Sequence, residues 1–271
     1  MSKTRLGDAP PLPPLALRQL VGPLADHLFD NPSGAAVFPD VPPAAYDFVF
    51  DWGCGCGRIA RQLIQQRPRP RKYVGVDLHR GMVQWCRQNL APYADGFEFH
   101  HLDVHNLGLN PSGKAKMLPF PAADGAVTLF LAWSVFTHIN EEAASFYLRE
   151  LGRVLHPQGV AVTTWFLFDK VDFPMMQEFQ NALFINDVDP TNAVIFDKKW
   201  LRAGAENAGL VLSQIHAPHI RGYQWRILIR KAAPGVHSQE FPRDAAEPGI
   251  HRPPLMPREA ERLGLDPNQQ D

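Results

Sequence analysis

Between residues 46 and 231, short runs of apolar and β-branched residues alternate with stretches whose apolar positions recur every three or four residues. Side chains repeat every two residues in a strand and about every 3.6 in a helix, so this pattern predicts strands and helices in turn. Strands are expected at 48–50, 73–76, 97–101, 125–131 and 160–168, with helices at 58–66, 80–90 and 141–155. The run 160–168 is nearly all apolar or β-branched, as a strand covered on both faces requires. A helix at 198–208, ended by Gly209, and strands at 210–215 and 224–231 complete the series. The expected architecture is α/β: a Rossmann-like, seven-stranded, mostly parallel sheet with helices on both faces and a closing hairpin.

The rhythm breaks in three places. Residues 1–45 are rich in proline and read as an N-terminal extension, within which Leu17, Leu20, Leu24 and Leu28 give 15–29 helical spacing and the character of a lid. Residues 169–196 form a connection far longer than such loops need, and read as an insertion over the acceptor site. The segment 232–271 mixes Pro, Arg, Glu and Gly with few apolar residues and reads as an extended tail, with a helical turn at 258–263. The central domain is therefore expected at 46–231.

Charge and cysteine content narrow the class. With 27 basic and 28 acidic side chains the formal charge is -1, and no long basic run is present, so no nucleic-acid partner is expected. Cys54, Cys56 and Cys86 lack the spacing of a disulfide framework, and the N-terminus lacks a secretory apolar core. No stretch approaches the roughly 20 apolar residues of a membrane span. A cytoplasmic protein without a membrane partner is expected.

The candidate chemistry lies at the carboxyl ends of the strands, where open α/β sheets bind ligands. The first strand runs into Asp51-Trp-Gly-Cys-Gly-Cys-Gly57, with Gly53, Gly55 and Gly57 at alternate positions before a helix. A dinucleotide fingerprint requires glycine where Arg58 stands. A carboxylate at Asp51 repels a pyrophosphate but suits a ligand bearing an ammonium and a sulfonium. Asp77 closes the second strand and can accept both hydroxyls of a ribose, and Asp103 follows the third, where it can accept an adenine amino group.

These motifs resemble the core of class I S-adenosylmethionine (SAM)-dependent methyltransferases: Asp51-x-Gly-x-Gly-x-Gly57, Val74-Gly-Val-Asp77, Leu102-Asp-Val104, and a fourth strand before Ala132-Trp133. The resemblance covers about residues 46–168. It implies that Asp51, Gly53, Gly55 and Gly57 hold the methionine moiety. It further implies that Asp77 holds the ribose, and Asp103 and Val104 the adenine edge, with Leu78 and Ala132 also at the cofactor. A narrower similarity is to sugar O-methyltransferases of bacterial polysaccharide pathways, through Phe29-Asp-Asn-Pro-Ser-Gly34, Ala132-Trp-Ser-Val-Phe-Thr-His138, Trp165-Phe-Leu-Phe-Asp169 and Asp189-Pro-Thr-Asn192. It implies a small sugar acceptor, the 1-hydroxyl of a 3-O-methylmannoside.

His138, just beyond the fourth strand, is the candidate general base, since a sugar hydroxyl must begin to lose its proton before it attacks. Its bland reading is a loop histidine beside a helix capped by Asn140. Asp169, ending the fifth strand, is the second catalytic candidate, either orienting the acceptor or binding a divalent ion such as magnesium. Cys54 with Cys56 falls short of a zinc site and reads as small loop filling. His100, His101 and His105 read as mixed core and surface, because adjacent strand residues face opposite ways. Trp133, Trp165, Trp225 and the run 173–176 read as mostly core. The rivals are an NAD-dependent reductase, against which Arg58 counts, and a non-catalytic SAM-binding module.

Overall fold

The computed structural model describes residues 9–22, 24–186, 188–218 and 223–242. Seven strands form one sheet: β1 (Phe48–Trp52), β2 (Lys72–Asp77), β3 (Phe97–His101), β4 (Val127–Ala132), β5 (Leu155–Phe168), β8 (Leu210–His216) and β9 (Trp225–Lys231). Their spatial order is β3-β2-β1-β4-β5-β9-β8, parallel except for β9, which runs antiparallel to both β5 and β8. Helices α2 (Arg58–Gln65), α3 (Arg80–Asn89), α4 (Glu141–Val154) and α5 (Lys198–Asn207) supply the connections. The fold is a Rossmann-like, mostly parallel α/β sheet, as the alternating pattern predicts.

Packing explains why each strand holds its place. All five residues of β1 are buried, and on either side of the sheet lies an apolar cluster, one around Phe50, Phe130 and Leu151 and one around Val49, Leu63 and Leu129. Gly75 in β2 is required by close approach: a Cβ there would lie 2.9 Å from the Tyr73 hydroxyl and 3.0 Å from the Cys54 sulfur. Helix starts are capped as their sequences suggest. Asn140 accepts from the Ala143 amide and Asp197 from the Trp200 amide.

Three expectations are corrected. Residues 15–29 do not form one helix: α1 spans only Leu15–Arg18, and Gly22 adopts φ +104°, which no right-handed helix accommodates. The segment 169–196 is more than a loop, since it contributes β6 (Ala182–Phe184) and β7 (Val194–Asp197). Strand β5 runs on past its neighbours, and β7 pairs parallel with its last residues, 166–168, while β6 pairs antiparallel with β7. Nor is the run 173–176 core, because Phe173 and Met175 are exposed.

The N-terminal extension is tied to α2 by one buried side chain. Arg61 donates from Nε to the Pro10 carbonyl (2.8 Å) and from Nη1 to the Phe29 carbonyl (2.9 Å), and pairs with Asp30. The described residues within 10–30 thus form a strap with both ends on one guanidinium. The described start of the tail lies against the hairpin, where the Gln239 amide donates to the Leu212 carbonyl (2.8 Å). The helical turn expected at 258–263 lies outside the described residues.

Candidate functional site

Strand order reverses between β1 and β4, so the loops leaving these two strands diverge and open a crevice above the sheet. A cavity of about 1850 Å³ occupies it. Its floor is the glycine loop. Gly53 and Gly55 hold φ of +76° and +54°, and a Cβ would lie 2.3 Å from Val135 Cγ2 at the first and 2.8 Å from Val21 Cγ1 at the second. Only glycine keeps this backbone open to a ligand while the strap and the loop after β4 stand so close.

Two buried carboxylates face the cavity from adjacent strand ends. Asp51 accepts a hydrogen bond from the Tyr73 hydroxyl (2.7 Å), and burial pushes its carboxyl up to about 7. Asp77 accepts from the Gly55 amide (2.8 Å) on one oxygen and from the His79 amide (2.7 Å) on the other; burial raises its pKa also. Asp77 therefore pins the glycine loop, and each oxygen keeps acceptor capacity for a ligand hydroxyl.

The opposite wall follows β4. Ser134 has φ +59°, uncommon for a residue with a side chain. The position is fixed by its amide donating to Thr164 Oγ1 (2.7 Å) and its hydroxyl donating to Gln224 Oε1 (3.0 Å). His138 lines the cavity with its ring exposed, and its Nδ1 lies 3.3 Å from the Thr191 carbonyl oxygen. Thr191 is itself held by Asp189, whose Oδ1 accepts from the Thr191 hydroxyl (2.6 Å) and amide (3.1 Å). Asp189, Thr191 and Asn192 all line the cavity, so the insertion supplies part of its wall.

Residues 49–159 match the family model described as a methyltransferase domain. Among solved structures it is similar to a TehB-like SAM-dependent methyltransferase from Corynebacterium glutamicum, with 18% identity, 68% of this chain and 80% of that one covered, and a TM-score of 0.44. It is similar also to a SAM-dependent methyltransferase from Methanosarcina mazei, at 18% identity, 71% and 99% coverage and a TM-score of 0.46. Human N-acetylserotonin methyltransferase, solved with SAM, is similar at 17% identity, 71% and 50% coverage and a TM-score of 0.48.

The fold brings together most, though not all, of the residues singled out from sequence. Asp51, Gly53, Gly55, Asp77, Leu78, Val104 and His138 line one cavity. Four others do not. Gly57 packs beneath the loop, where a Cβ would lie 2.3 Å from Leu90 Cδ1. Ala132 is fully buried in the core, and its neighbour Trp133 reaches the cavity instead. Asp103 points to Asn110, accepting from its Nδ2 at 3.2 Å, while Leu102 and Val104 on either side line the wall. Asp169 is away from the cavity and caps its own turn by accepting from the Val171 amide (3.2 Å).

Sequence reasoning missed Arg58, Ser134, Asp189, Thr191 and Gln224 as lining residues. A signal existed for Arg58, which directly follows the glycine loop; the others depend on long-range contacts. Among the described residues, no group of three or more His, Cys, Asp or Glu side chains is placed to hold a metal ion. The three cysteines are buried and free, and the Cys54 and Cys86 thiols lie 3.8 and 3.6 Å from the Gly55 carbonyl, filling space beneath the loop. Among the described residues, no helix is long and apolar enough to cross a membrane.

Proposed function

We propose that the chain is an S-adenosylmethionine-dependent O-methyltransferase acting on a hydroxyl of a small sugar or oligosaccharide. The observation that carries this reading is that His138, held by the Thr191 carbonyl, shares one cavity with the glycine loop, Asp51 and Asp77.

The residues fit SAM. The bare glycine backbone, the Asp51 carboxylate and the Asp77 carboxylate match a methionine tail, its ammonium and a ribose diol in turn. When bound, this cofactor supplies an electrophilic methyl group on sulfonium. Everything else falls to the chain's own side chains. Asp77 would accept the two ribose hydroxyls, and Val104 and Leu102 would flank the adenine. Asp51, ionised against the ligand ammonium, would orient the tail.

On the acceptor side, the Nδ1 proton of His138 is donated to the Thr191 carbonyl, which leaves Nε2 as the proton-accepting atom. Nε2 takes the proton of the acceptor hydroxyl as the oxygen becomes nucleophilic. Holding the reacting oxygen in line contributes more than the base itself, since alignment can offset about 7–11 kcal/mol of barrier. The strap and the 190–192 turn both line the cavity, where they would restrict water around the acceptor.

The choice of a sugar rests on the polar neighbours of His138. Ser134, Asn140, Asn192 and Gln224 present hydroxyl and amide groups, and Trp133 and Tyr223 present rings on which sugar C–H faces can stack. The 1-hydroxyl of a 3-O-methylmannoside is the acceptor favoured by the similarity to methylmannose polysaccharide 1-O-methyltransferase of mycobacteria. The test is incubation with methyl-labelled SAM and a panel of mannosides and other glycosides. A labelled methyl ether located by NMR supports the reading. Label on nitrogen or carbon acceptors, with none on sugar hydroxyls, contradicts it.

A further inference from the structure

We infer that Ser134 and Gln224 together read a second, unreacting hydroxyl of the methyl acceptor, so that the acceptor is a polyol and not a lone alcohol or phenol. This rests on the reading of a hydroxylated acceptor at His138 and names what else that acceptor carries.

Two strands deliver the pair. β4 and β9 flank β5, the first parallel to it and the second antiparallel, so the end of β4 and the start of β9 meet at the cavity. Ala132, the last residue of β4, pairs with Thr163, and Trp225, the first of β9, pairs with Trp165. Ser134 lies two residues past one end and Gln224 one residue before the other, and both line the cavity. Among the described residues, Ser134 is the only one other than glycine with a positive φ, at +59°. Its amide donates to Thr164 Oγ1 (2.7 Å) and its hydroxyl to Gln224 Oε1 (3.0 Å), partners 30 and 90 residues away in the chain. A backbone held so against its own preference, by contacts from two other strands, keeps one side chain in one place.

The unspent hydrogen-bonding capacity of the pair defines the ligand. A serine hydroxyl has one proton, and Ser134 gives it to Gln224, so its oxygen can only accept from a further group. Gln224 spends Oε1 on Ser134, and its Nε2 bonds to no described residue. Gln65 and Gln66, also withdrawn from water, leave neither end open. Gln65 accepts from the Asn31 amide and donates to Asp30, and Gln66 accepts from the Val37 amide and donates to the Pro68 carbonyl. Ser134 and Gln224 therefore offer the cavity one acceptor and one donor side by side. Turning the Gln224 amide over exchanges the two roles and leaves the offer unchanged. A hydroxyl matches it, accepting from one group while donating to the other. An ether or carbonyl oxygen only accepts, an ammonium only donates, and a carboxylate or phosphate leaves the acceptor side unmatched. His138 takes the reacting hydroxyl, which leaves this pair to a second one.

The experiment compares kcat/KM across acceptors and variants. Wild type, Gln224→Met and Ser134→Gly are assayed with methyl-labelled SAM on 3-O-methyl-D-mannose and on its 2-, 4- and 6-deoxy forms. Thermal melts and titration with S-adenosylhomocysteine first establish folding and an unchanged cofactor site. In wild type, one deoxy sugar should lose about 10- to 100-fold in kcat/KM and the other two much less, a comparison that needs no variant to fold. Gln224→Met should lose a similar factor on the parent sugar and nothing further on that deoxy sugar. Ser134→Gly, which also relieves the backbone, should show the same pattern. Equal losses by both variants on all four sugars would mean that the pair only shapes the loop, and would overturn the inference. Wild type that methylates all three deoxy sugars as well as the parent overturns it while leaving sugar methylation standing. No label on any sugar, these or those of the wider panel, overturns both.

Discussion

The Nδ1 atom of His138 lies 3.3 Å from the carbonyl oxygen of Thr191, so a residue following β4 is oriented by a turn from the insertion that follows β5. A backbone carbonyl accepts only from a protonated ring nitrogen, and this contact therefore selects the tautomer with Nε2 free. If Nε2 is the base, His138→Ala should lower kcat by roughly 10²–10⁴-fold while leaving S-adenosylhomocysteine affinity unchanged. Added imidazole should restore part of the lost rate. Near-wild-type turnover in His138→Gln at saturating acceptor removes His138 from the chemistry.

Asp189 acts one step further out, since it holds Thr191 by two hydrogen bonds. Asp189→Ala should lower kcat through a misplaced ring. Asp189→Asn, which keeps an acceptor oxygen, should recover most of the rate. Equal defects in the two variants would instead argue that Asp189 meets the acceptor through its charge.

Burial raises the Asp51 carboxyl from its ordinary 3.8 to about 7, with the Tyr73 hydroxyl and Arg58 opposing the rise. The folded state then keeps a proton that the unfolded chain has already lost at intermediate pH. Stability from this group is full below pH 3.8, falls as pH climbs, and is gone above about 7. Asp77, raised by burial too, acts in the same direction. Asp51→Asn should flatten the decline seen in thermal melts between pH 4 and 7. A ligand ammonium favours the ionised form, so S-adenosylhomocysteine binding should release a proton near neutral pH, read by calorimetry in buffers of different ionisation enthalpy.

Gly53→Ala should destabilise the fold by about 2–4 kcal/mol, combining a left-handed backbone with an overpacked contact. The contact is specific: the new methyl meets Val135 Cγ2 at 2.3 Å. Adding Val135→Ala should recover part of the lost Tm and leave the backbone term. No recovery in the double variant would show that Val135 is not the obstacle.

Arg61→Ala should detach the strap at both ends, because the Pro10 and Phe29 carbonyls and Asp30 lose their shared donor. The cost should be about 2–4 kcal/mol, and protease should cut within residues 10–30 sooner than in wild type. Unchanged cleavage means the strap is held by Phe29 and its apolar neighbours together with the bonds from Gln62 to the Leu28 carbonyl and from Gln65 to Asp30.

Much of this molecule is legible in its sequence, for reasons that also mark where legibility ends. Strands β1 to β5 and helices α2 to α4 follow from local apolar periodicity, and the strand-end rule puts Asp51, Asp77 and His138 at one cavity. The same rule fails for Asp169. β5 pairs with β4 only as far as Thr163 and then runs on to Phe168, which carries its end past the crevice. That overhang also explains β6 and β7, runs of three and four residues too short to announce themselves, which become strands only by pairing beyond β4. Thr191 and Asp189 enter the site by the same long-range route. Ala132 fails because it is the last residue of β4, buried in the core, whereas Trp133 one step on reaches the cavity.

We propose that the crevice between β1 and β4 holds S-adenosylmethionine, with Asp77 on the ribose. Calorimetry of S-adenosylhomocysteine against wild type and Asp77→Ala, with NADH as the contrasting ligand, tests it most directly. The account predicts one-to-one binding of S-adenosylhomocysteine and none of NADH. It also predicts a loss of about 1–3 kcal/mol in Asp77→Ala, roughly 5- to 150-fold in Kd, from two hydroxyls deprived of a charged acceptor. Binding of NADH with no response to S-adenosylhomocysteine, or unchanged affinity in a folded Asp77→Ala variant, would contradict it.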